Sequence, residues 1–500
     1  SRSFPARFTL PSDFGDLPAG SNVTLTGLTT NPDPANIIPI TAANPDAQGN
    51  SPGYYNYNGP QFGNASNLFP EFEYWGFYTR AQHELYDWLQ LNAELSFRRA
   101  NTLTNAAPAP LTSTDENGDG AFGNIVLPAE NPFNPIGEDI QRFAWRMHSS
   151  GPRYGDITAD YPRVILSVSG DIGFTWSWEA GVLWTQSEFQ NDNPGTVFDS
   201  LLQDALNGII IDGQEHWANP FGIEDIRVTD YYTGENPTSA KWEVLNYDFE
   251  ASGEIYDLPA GPMGLAFGGE FREESYEDIR TIANESGNIV GGSQGFGVDG
   301  GRDVLSLYAE VSLPVHRMVE LQAALRYEDY SDFGDTTKPK VAAKFRPFDW
   351  LMVRASYGQS FKAPDLPFLF SDGQVAFTSN PQVDPRRPGD TPNQLRLLTD
   401  GNPDLGPEET DVTYIGVQWE PGDEFFNGIL EGLTVAVDGF QFDQENLITS
   451  ADEIDVLQNE LNPDFIGGEV IRLDPLPGED VGEIDFIRLF WFNSPNFRYE

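Results

Sequence analysis

The feature that most restricts what this chain can fold into is an alternation of period two that never places a charge in its apolar register. Leu89, Leu91, Ala93, Leu95 and Phe97 are apolar, while Gln90, Asn92, Glu94, Ser96 and Arg98 between them are polar. The register returns at Trp176, Trp178, Ala180, Val182 and Trp184, and at Met263, Leu265, Phe267, Gly269 and Phe271. It returns again at Leu305, Leu307, Ala309, Val311 and Leu313, at Val319, Leu321, Ala323, Leu325 and Tyr327, and at Leu351, Val353, Ala355 and Tyr357. Successive side chains of a strand point to opposite faces. Each segment therefore makes a strand with one uncharged face and one face carrying residues such as Glu179, Glu270, Arg272, Glu310, Glu320, Arg326, Glu328 and Arg354. One register holds for about ten residues, the length of a tilted strand crossing a membrane. Tryptophans at both ends of 176–184 suit aromatic girdles at two interfaces.

The connections between these segments alternate in length. Short ones are 85–88, 170–173, 256–262, 313–317 and 346–350; long ones run over about 99–160, 187–240, 273–302, 359–409 and 445–485. Short turns on one side and long loops on the other are the pattern of an outer-membrane barrel. A closed sheet also satisfies every backbone hydrogen bond in lipid without leaving an edge. No apolar run is long enough for a transmembrane helix; the best helical candidate is a short turn at 201–206, Leu-Leu-Gln-Asp-Ala-Leu. A soluble propeller, sandwich or β-helix would need a repeat of constant length, and none is present. The expected class is therefore all-β, a large antiparallel transmembrane barrel. Its strands and loops occupy 71–500, and 1–70 form an outer-loop region with a strand remnant. About twelve or thirteen strands can be placed, which is part of a barrel.

Charge and cysteine narrow the partners. The formal net charge of −49 opposes nucleic acid, because phosphates would be repelled. The absence of cysteine removes thiolate-zinc, disulfide and cysteine-nucleophile chemistry.

Several stretches resemble the barrel of TonB-dependent outer-membrane receptors, in the subgroup with long acidic outer loops. The stretch 325–364 is similar to that family's mid-barrel signature and closes on Phe361-Lys362-Ala363-Pro364. The stretch 401–421 is similar to its Asn-Pro-x-Leu-x-Pro-Glu element, and 131–137, 256–278 and 302–315 match the subgroup. The resemblance covers roughly 71–500. It implies a barrel of 22 strands, a plug domain and a short box that engages TonB. Neither plug nor box is readable in these residues, and both are expected to lie outside them. It further implies a Gram-negative outer-membrane location, lipid and lipopolysaccharide as surroundings, and active uptake of a scarce ligand such as a siderophore or oligosaccharide. Lumen carboxylates Glu270 and Glu310 are the candidates for facing a plug, since family plugs carry arginines that pair with barrel glutamates. The alternatives are a structural barrel of the same fold binding calcium, lipopolysaccharide or a surface layer, and a secreted acidic hydrolase or adhesin.

Few motifs carry other chemistry. Asp115, Asn117, Asp119 and Gly120 follow the first half of a calcium loop, but Val126 stands where a bidentate Glu belongs; calcium in an outer loop is the one cofactor expectation. Gly-Gly-Ser-Gln-Gly at 291–295 fits a nucleophile elbow with Ser293 at its centre, yet it lies in a glycine-rich loop with no helix to follow. Gly295, Gly297 and Gly300 there likewise lack the helix N-terminus that a dinucleotide fingerprint needs. His83, His148, His216 and His316 are scattered, so no zinc-peptidase pattern forms. No catalytic residue is assigned and no enzyme activity is expected. Tyr54, Tyr55, Tyr57, Tyr231, Tyr232, Phe368 and Phe370 are loop aromatics able to stack on sugars or aromatic ligands, or to pack the loops together.

Overall fold

The computed structural model describes residues 6–25, 33–39, 69–112, 125–292, 294–378, 382–389, 395–422, 425, 429–430, 432–475, 480–494 and 497–499. Thirteen strands form one antiparallel sheet. In chain order they are β1 (Glu71–Tyr86), β2 (Leu89–Ala106), β3 (Arg153–Ile172), β4 (Trp176–Asn191), β5 (Thr238–Leu258), β6 (Gly261–Ile279) and β7 (Val298–His316), followed by β8 (Val319–Tyr330), β9 (Gly334–Phe348), β10 (Leu351–Lys362), β11 (Glu408–Trp419), β12 (Val435–Glu445) and β13 (Phe497–Tyr499). Each pairs with the next in sequence, so the sheet is an unbroken up-and-down meander from β1 to β13. Among the described residues β1 has a free outer edge, and β13 covers only three residues of β12.

Cross-strand pairing puts the apolar registers on one face. Leu307 faces Tyr327, Ala309 faces Leu325, Leu325 faces Pro339, and Ala355 faces Ile415. Among the described residues no protein layer covers that face: Leu166 is 55% exposed, Leu325 51%, Ile415 58% and Val437 69%. A continuous bare apolar surface of this extent is a surface for lipid, not water. The other face is polar and lines the lumen.

The limits of the lipid belt are visible in the register. At the end with short turns stand Tyr86 stacked on Trp88 and Phe348 stacked on Trp350, with Phe174 fully exposed at its turn. At the other end a row of charges crosses the apolar face. Arg99 is opposite Asp160, Asp160 opposite Glu188, Glu188 opposite Lys241, and Lys241 opposite Glu277. Arg99 and Asp160 close as a forked pair at 2.6 and 2.5 Å. From Leu89 to this row the apolar register covers the span that a tilted transmembrane strand needs.

The strands continue past that row. β5 has 21 residues and β3 has 20, so β2 and β3 reach into the stretch 99–160 that the alternation assigns to a connection. Beyond the charge row both faces meet water, so pairing persists while the hydrophobic period that reveals it fades. A second difference is the turn Ser331–Phe333 between β8 and β9, which is short although it lies at the end with the long connections.

The described residues of the long connections fold into two bodies. In the first, Arg7–Thr9, Asn22–Leu25, Ile37–Pro39, Phe143–Arg146 and Pro110–Thr112 make a five-stranded sheet. Helices α1 (Asp199–Asn207) and α2 (Ile226–Tyr232) pack on it, and α3 (Ile282–Ser286) stands beside them. α1 is the helix expected at 201–206; it buries Leu202, Ala205 and Leu206 on one side, the spacing of a single helical stripe. Phe8, Leu25, Leu111, Trp145, Leu202, Phe221 and Tyr232 share this body's core. Residues 6–25 and 33–39, expected as outer loop, are part of it. The second body contains α4 (Leu366–Phe370) and α5 (Glu453–Gln458), with Gln374–Phe377, Arg396–Asp400, Leu447–Ser450, Gly468–Arg472 and Ile484–Ser494 in a further sheet. Its core holds Leu397, Val456, Leu457, Ile487 and Leu489.

Candidate functional site

The lumen wall and its mouth are where this fold places its polar chemistry. On β6 the side chains of Glu270, Arg272 and Glu274 project to the lumen at every second position. Arg272 reaches Glu270 at 2.8 Å and Glu274 at 2.6 Å. Arg326 on β8 approaches Glu270 at 3.5 Å and pairs with Glu328. Arg302 on β7 meets Glu274 at 2.8 Å and Asp332 at 3.4 Å, and donates to the carbonyl of Pro364 at 2.8 Å. The Arg302 side chain is 8% exposed, so its charge depends on these partners in place of water.

That last bond explains the Phe-Lys-Ala-Pro element. Its proline ends strand pairing because it has no N–H to donate, and Arg302 captures its carbonyl where the chain leaves β10. Phe361 packs edge-on to Tyr330 at 5.8 Å, and Lys338 bonds Glu409 at 2.7 Å. α4 then folds back over the lumen side of β7. A Cβ on Gly300 would lie 2.2 Å from the Phe370 ring, so only glycine lets that ring sit there. The Asn-Pro-x-Leu-x-Pro-Glu element closes the same joint. The Asn402 side chain donates to the carbonyl of Trp491 at 2.7 Å, Leu405 packs with Leu366 and Leu369, and Glu408 accepts from the Ile448 N–H at 3.0 Å.

Both plug-facing candidates lie on the lumen face. Glu270 already has two arginines of the wall itself, and Glu310 accepts from Gln322. Like Glu310, their neighbours Glu179, Asp248 and Glu250 meet no cation among the described residues. Glu179 lies directly opposite Glu250, and Asp248 directly opposite Glu270. Asp248 accepts only from Asn246 at 3.4 Å, and Glu250 only from the Tyr308 hydroxyl at 3.2 Å. Tyr308 reaches Glu250 by crossing Gly268, where a Cβ would come within 2.5 Å of the tyrosine ring. Sequence reading places Glu179 on the polar face but has no means of bringing Asp248 and Glu250 beside it, since that adjacency is set by register between strands.

The loop aromatics separate. Tyr232 is fully buried in the first outer body and donates to Glu224 at 2.6 Å, so its ring has no free face to offer. Tyr231 is exposed and its hydroxyl lies 3.4 Å from Asp204. Phe368 stacks on Trp491 at 4.2 Å, and Phe370 packs beside it at the mouth; both hold loops together. Around Glu224, burial pushes the carboxyl up to about 7, against the pull of hydrogen bonds from Tyr232 and from the Asn219 N–H. Burial, reinforced by the charge of Glu224, pushes the Tyr232 phenol well above its usual value. Part of the Glu224 residue surface still reaches solvent, which moderates this penalty.

Asp115, Asn117 and Asp119 of the calcium-like loop lie outside the described residues, as do Ser293 and Tyr54, Tyr55 and Tyr57. Among the described residues no group of three or more His, Cys, Asp or Glu is arranged to hold a metal ion.

Residues 112–470 match the family model described as TonB dependent receptor-like, beta-barrel, and the chain belongs to that family. Among solved structures it is similar to the siderophore receptor PirA from Acinetobacter baumannii, at 13% identity and TM-score 0.51, over 88% of this chain and 51% of that one. It is also similar to a mutant of the ferric enterobactin receptor PfeA from Pseudomonas aeruginosa, at 14% identity and TM-score 0.52, over 96% of this chain and 52% of that one. A segment of 128 residues is 27% identical to the vitamin B12 transporter BtuB of Vibrio cholerae serotype O1, covering 26% of this chain and 15% of the transporter. The chain thus spans about half the length of the solved structures it resembles.

Proposed function

We propose that this chain is barrel wall and outer-loop structure of a TonB-dependent transporter in a Gram-negative outer membrane. It admits a scarce ligand, a siderophore, an oligosaccharide or a similar solute. The observation that carries this reading is the pairing of a bare apolar belt with a charged lumen, in a chain of this family. Outer loops capture the ligand, a plug held in the lumen shifts, and force transmitted through TonB opens the path. Glu179, Asp248 and Glu250 support the plug step, because three carboxylates without wall cations suit arginines arriving from a second domain. Glu310 remains a plug-facing candidate, and Glu270 serves mainly to fix the wall. The names of the relatives, siderophore receptors and a vitamin transporter, support uptake of a solute too dilute to be gathered by passive pores.

The test is genetic. Disrupting the gene in its host should abolish uptake of one radiolabelled nutrient class at low external concentration, and removing TonB should reproduce the defect. Uptake that persists without TonB would overturn the reading.

A further inference from the structure

The glycine-rich segment between α3 and β7 touches both outer bodies. We propose that 282–298 is a tie coupling the two bodies, so that opening at the first turn of α1 and opening at the strand Gln374–Phe377 promote each other. The inference rests on the transport reading only for its use, which is to let a ligand held by one body shift both.

The first half of the segment is built into the first body. Asn288 accepts from the Ser200 N–H at 2.8 Å and donates to the Ser200 hydroxyl at 3.0 Å, at the start of α1. The Val290 N–H donates to the Val197 carbonyl at 3.0 Å, and the Val290 side chain is buried in that body's core. Asn284 on α3 accepts from the Asn236 side-chain amide at 3.0 Å. Gly291 closes against the sheet of the same body. A Cβ there would lie 2.6 Å from the Pro110 ring, and its φ of +66° is one that glycine adopts without strain.

The second half pairs with the second body. The Val375 N–H donates to the Gln294 carbonyl at 3.0 Å, and the Phe296 N–H donates to the Gly373 carbonyl at 3.1 Å. The Gln374 side-chain amide donates to the Phe296 carbonyl at 3.0 Å. Gly295 stands opposite Gln374 and Val298 opposite Ser371, as isolated bridges of strand pairing. Beyond Val298 the chain is β7, so the barrel wall fixes the far end.

The two anchors are close along the chain and share partners. Gln294 follows Val290 by four residues, at most roughly 14 Å of extended chain. The Gln294 side chain also turns back to donate to the Glu285 carbonyl at 2.6 Å, and the Gly295 N–H donates to the Asn284 carbonyl at 3.2 Å. The residues that hold the second body are therefore bonded to α3, which is bonded to the first. Releasing either anchor removes a restraint on the other. Such coupling is a free energy and acts equally in both directions.

The experiment is hydrogen exchange on the full-length protein in detergent, without ligand or TonB. Asn288→Ala removes both bonds to Ser200 and should raise exchange in 199–207 about tenfold. Through the tie it should raise exchange in 374–377 about fivefold or more. Gln374→Ala, at an exposed side chain, should in return raise exchange in 199–207. In both variants α5 should exchange as in the wild type, which separates a tie from general loosening. Heat-modifiable migration on gels checks that each variant is assembled. If Asn288→Ala does not assemble, Gln374→Ala decides alone, and unchanged exchange in 199–207 overturns the proposal. A rise confined to the altered end, a rise in one direction only, or an equal rise in α5 would also overturn it. Uptake plays no part in this measurement. Uptake that persists without TonB would thus count against the transport reading alone, and uncoupled exchange against the tie alone.

Discussion

Single residues at the mouth hold more than their own strand. Arg302 joins Glu274, Asp332 and the Pro364 carbonyl, linking β6, β7, the β8–β9 turn and the departure from β10. Arg302→Met leaves Asp332 without its cation and Glu274 with Arg272 alone, and frees the proline carbonyl. Removing one partner of such a buried network costs roughly 3–5 kcal/mol. The measurement is hydrogen exchange over 363–370, which should rise strongly in the variant; unchanged protection would show that α4 is held by its apolar contacts alone. Glu224 gives a dependence on pH. Its folded carboxyl titrates near 7, well above an unfolded glutamate near 4.3. The folded state therefore binds a proton that the unfolded chain has released between those values. This stabilisation is full below about pH 4, declines as pH rises, and is gone above about 7. It is worth at most about 4 kcal/mol, less for the solvent that still reaches the residue. The groups facing Glu224 are Tyr232, Asn219 and Ser149, with Asp225 adjacent in sequence. Exchange rates in 218–232 should climb from pH 5 to pH 8 in the wild type after correction for intrinsic rates, and Glu224→Gln should flatten that slope. Neither residue announces its role in the sequence: Arg302 reads as one polar position of a strand, and Glu224 as one acid among many in an acidic loop.

At the scale of elements, the apolar belt makes a sharp two-sided prediction. Leu325 and Ala324 are adjacent on β8 but face lipid and lumen respectively. Leu325→Arg should destabilise the barrel by roughly 2–4 kcal/mol, while Ala324→Arg should be tolerated. Heat-modifiable gel migration and outer-membrane yield report both; equal effects would mean that the apolar face is not in hydrocarbon. Gly268 offers a packing test. Gly268→Val drives into Tyr308 and parts it from Glu250, which should cost about 1–3 kcal/mol as overpacking. Denaturation in lipid vesicles measures it, and the Gly268→Val, Tyr308→Ala double variant should recover only the part due to the ring, because the Phe249 carbonyl also lies 2.6 Å from the added Cβ. Strand identity was readable because lipid imposes an uncharged register about ten residues long. Strand ends were not, because above the charge row neither face is required to be apolar. The β8–β9 turn was missed for a related reason: Ser331, Asp332 and Phe333 are ordinary turn residues, and only the pairing of Tyr330 with Gly334 shows that the connection is short.

Across the whole molecule, the described residues of the long connections form folded bodies and not strings of loop. α1 and α2 lie between β4 and β5, yet they bury Leu202, Leu206, Val228 and Tyr232 against residues from the start of the chain. Protease added to intact cells should therefore spare 199–232; rapid cleavage within α1 or α2 would contradict a packed body. Two quoted motifs acquire a shared meaning at this scale. The Phe-Lys-Ala-Pro and Asn-Pro-x-Leu-x-Pro-Glu elements are about forty residues apart in the chain but meet at one joint, through α4, Leu405 and Trp491. The sequence identifies each as a recognisable word and says nothing of their contact.

Alternation alone determined that the chain forms strands with one uncharged face, because period two is the direct projection of a pleated strand onto its sequence. Composition determined the sign of the charge and the lack of thiol chemistry. Tertiary structure decided which carboxylates keep their charge uncompensated and where the lipid belt stops. Those properties depend on which residues of neighbouring strands stand opposite one another. A shift of a single residue in register would exchange the two faces, and no local sequence records that alignment.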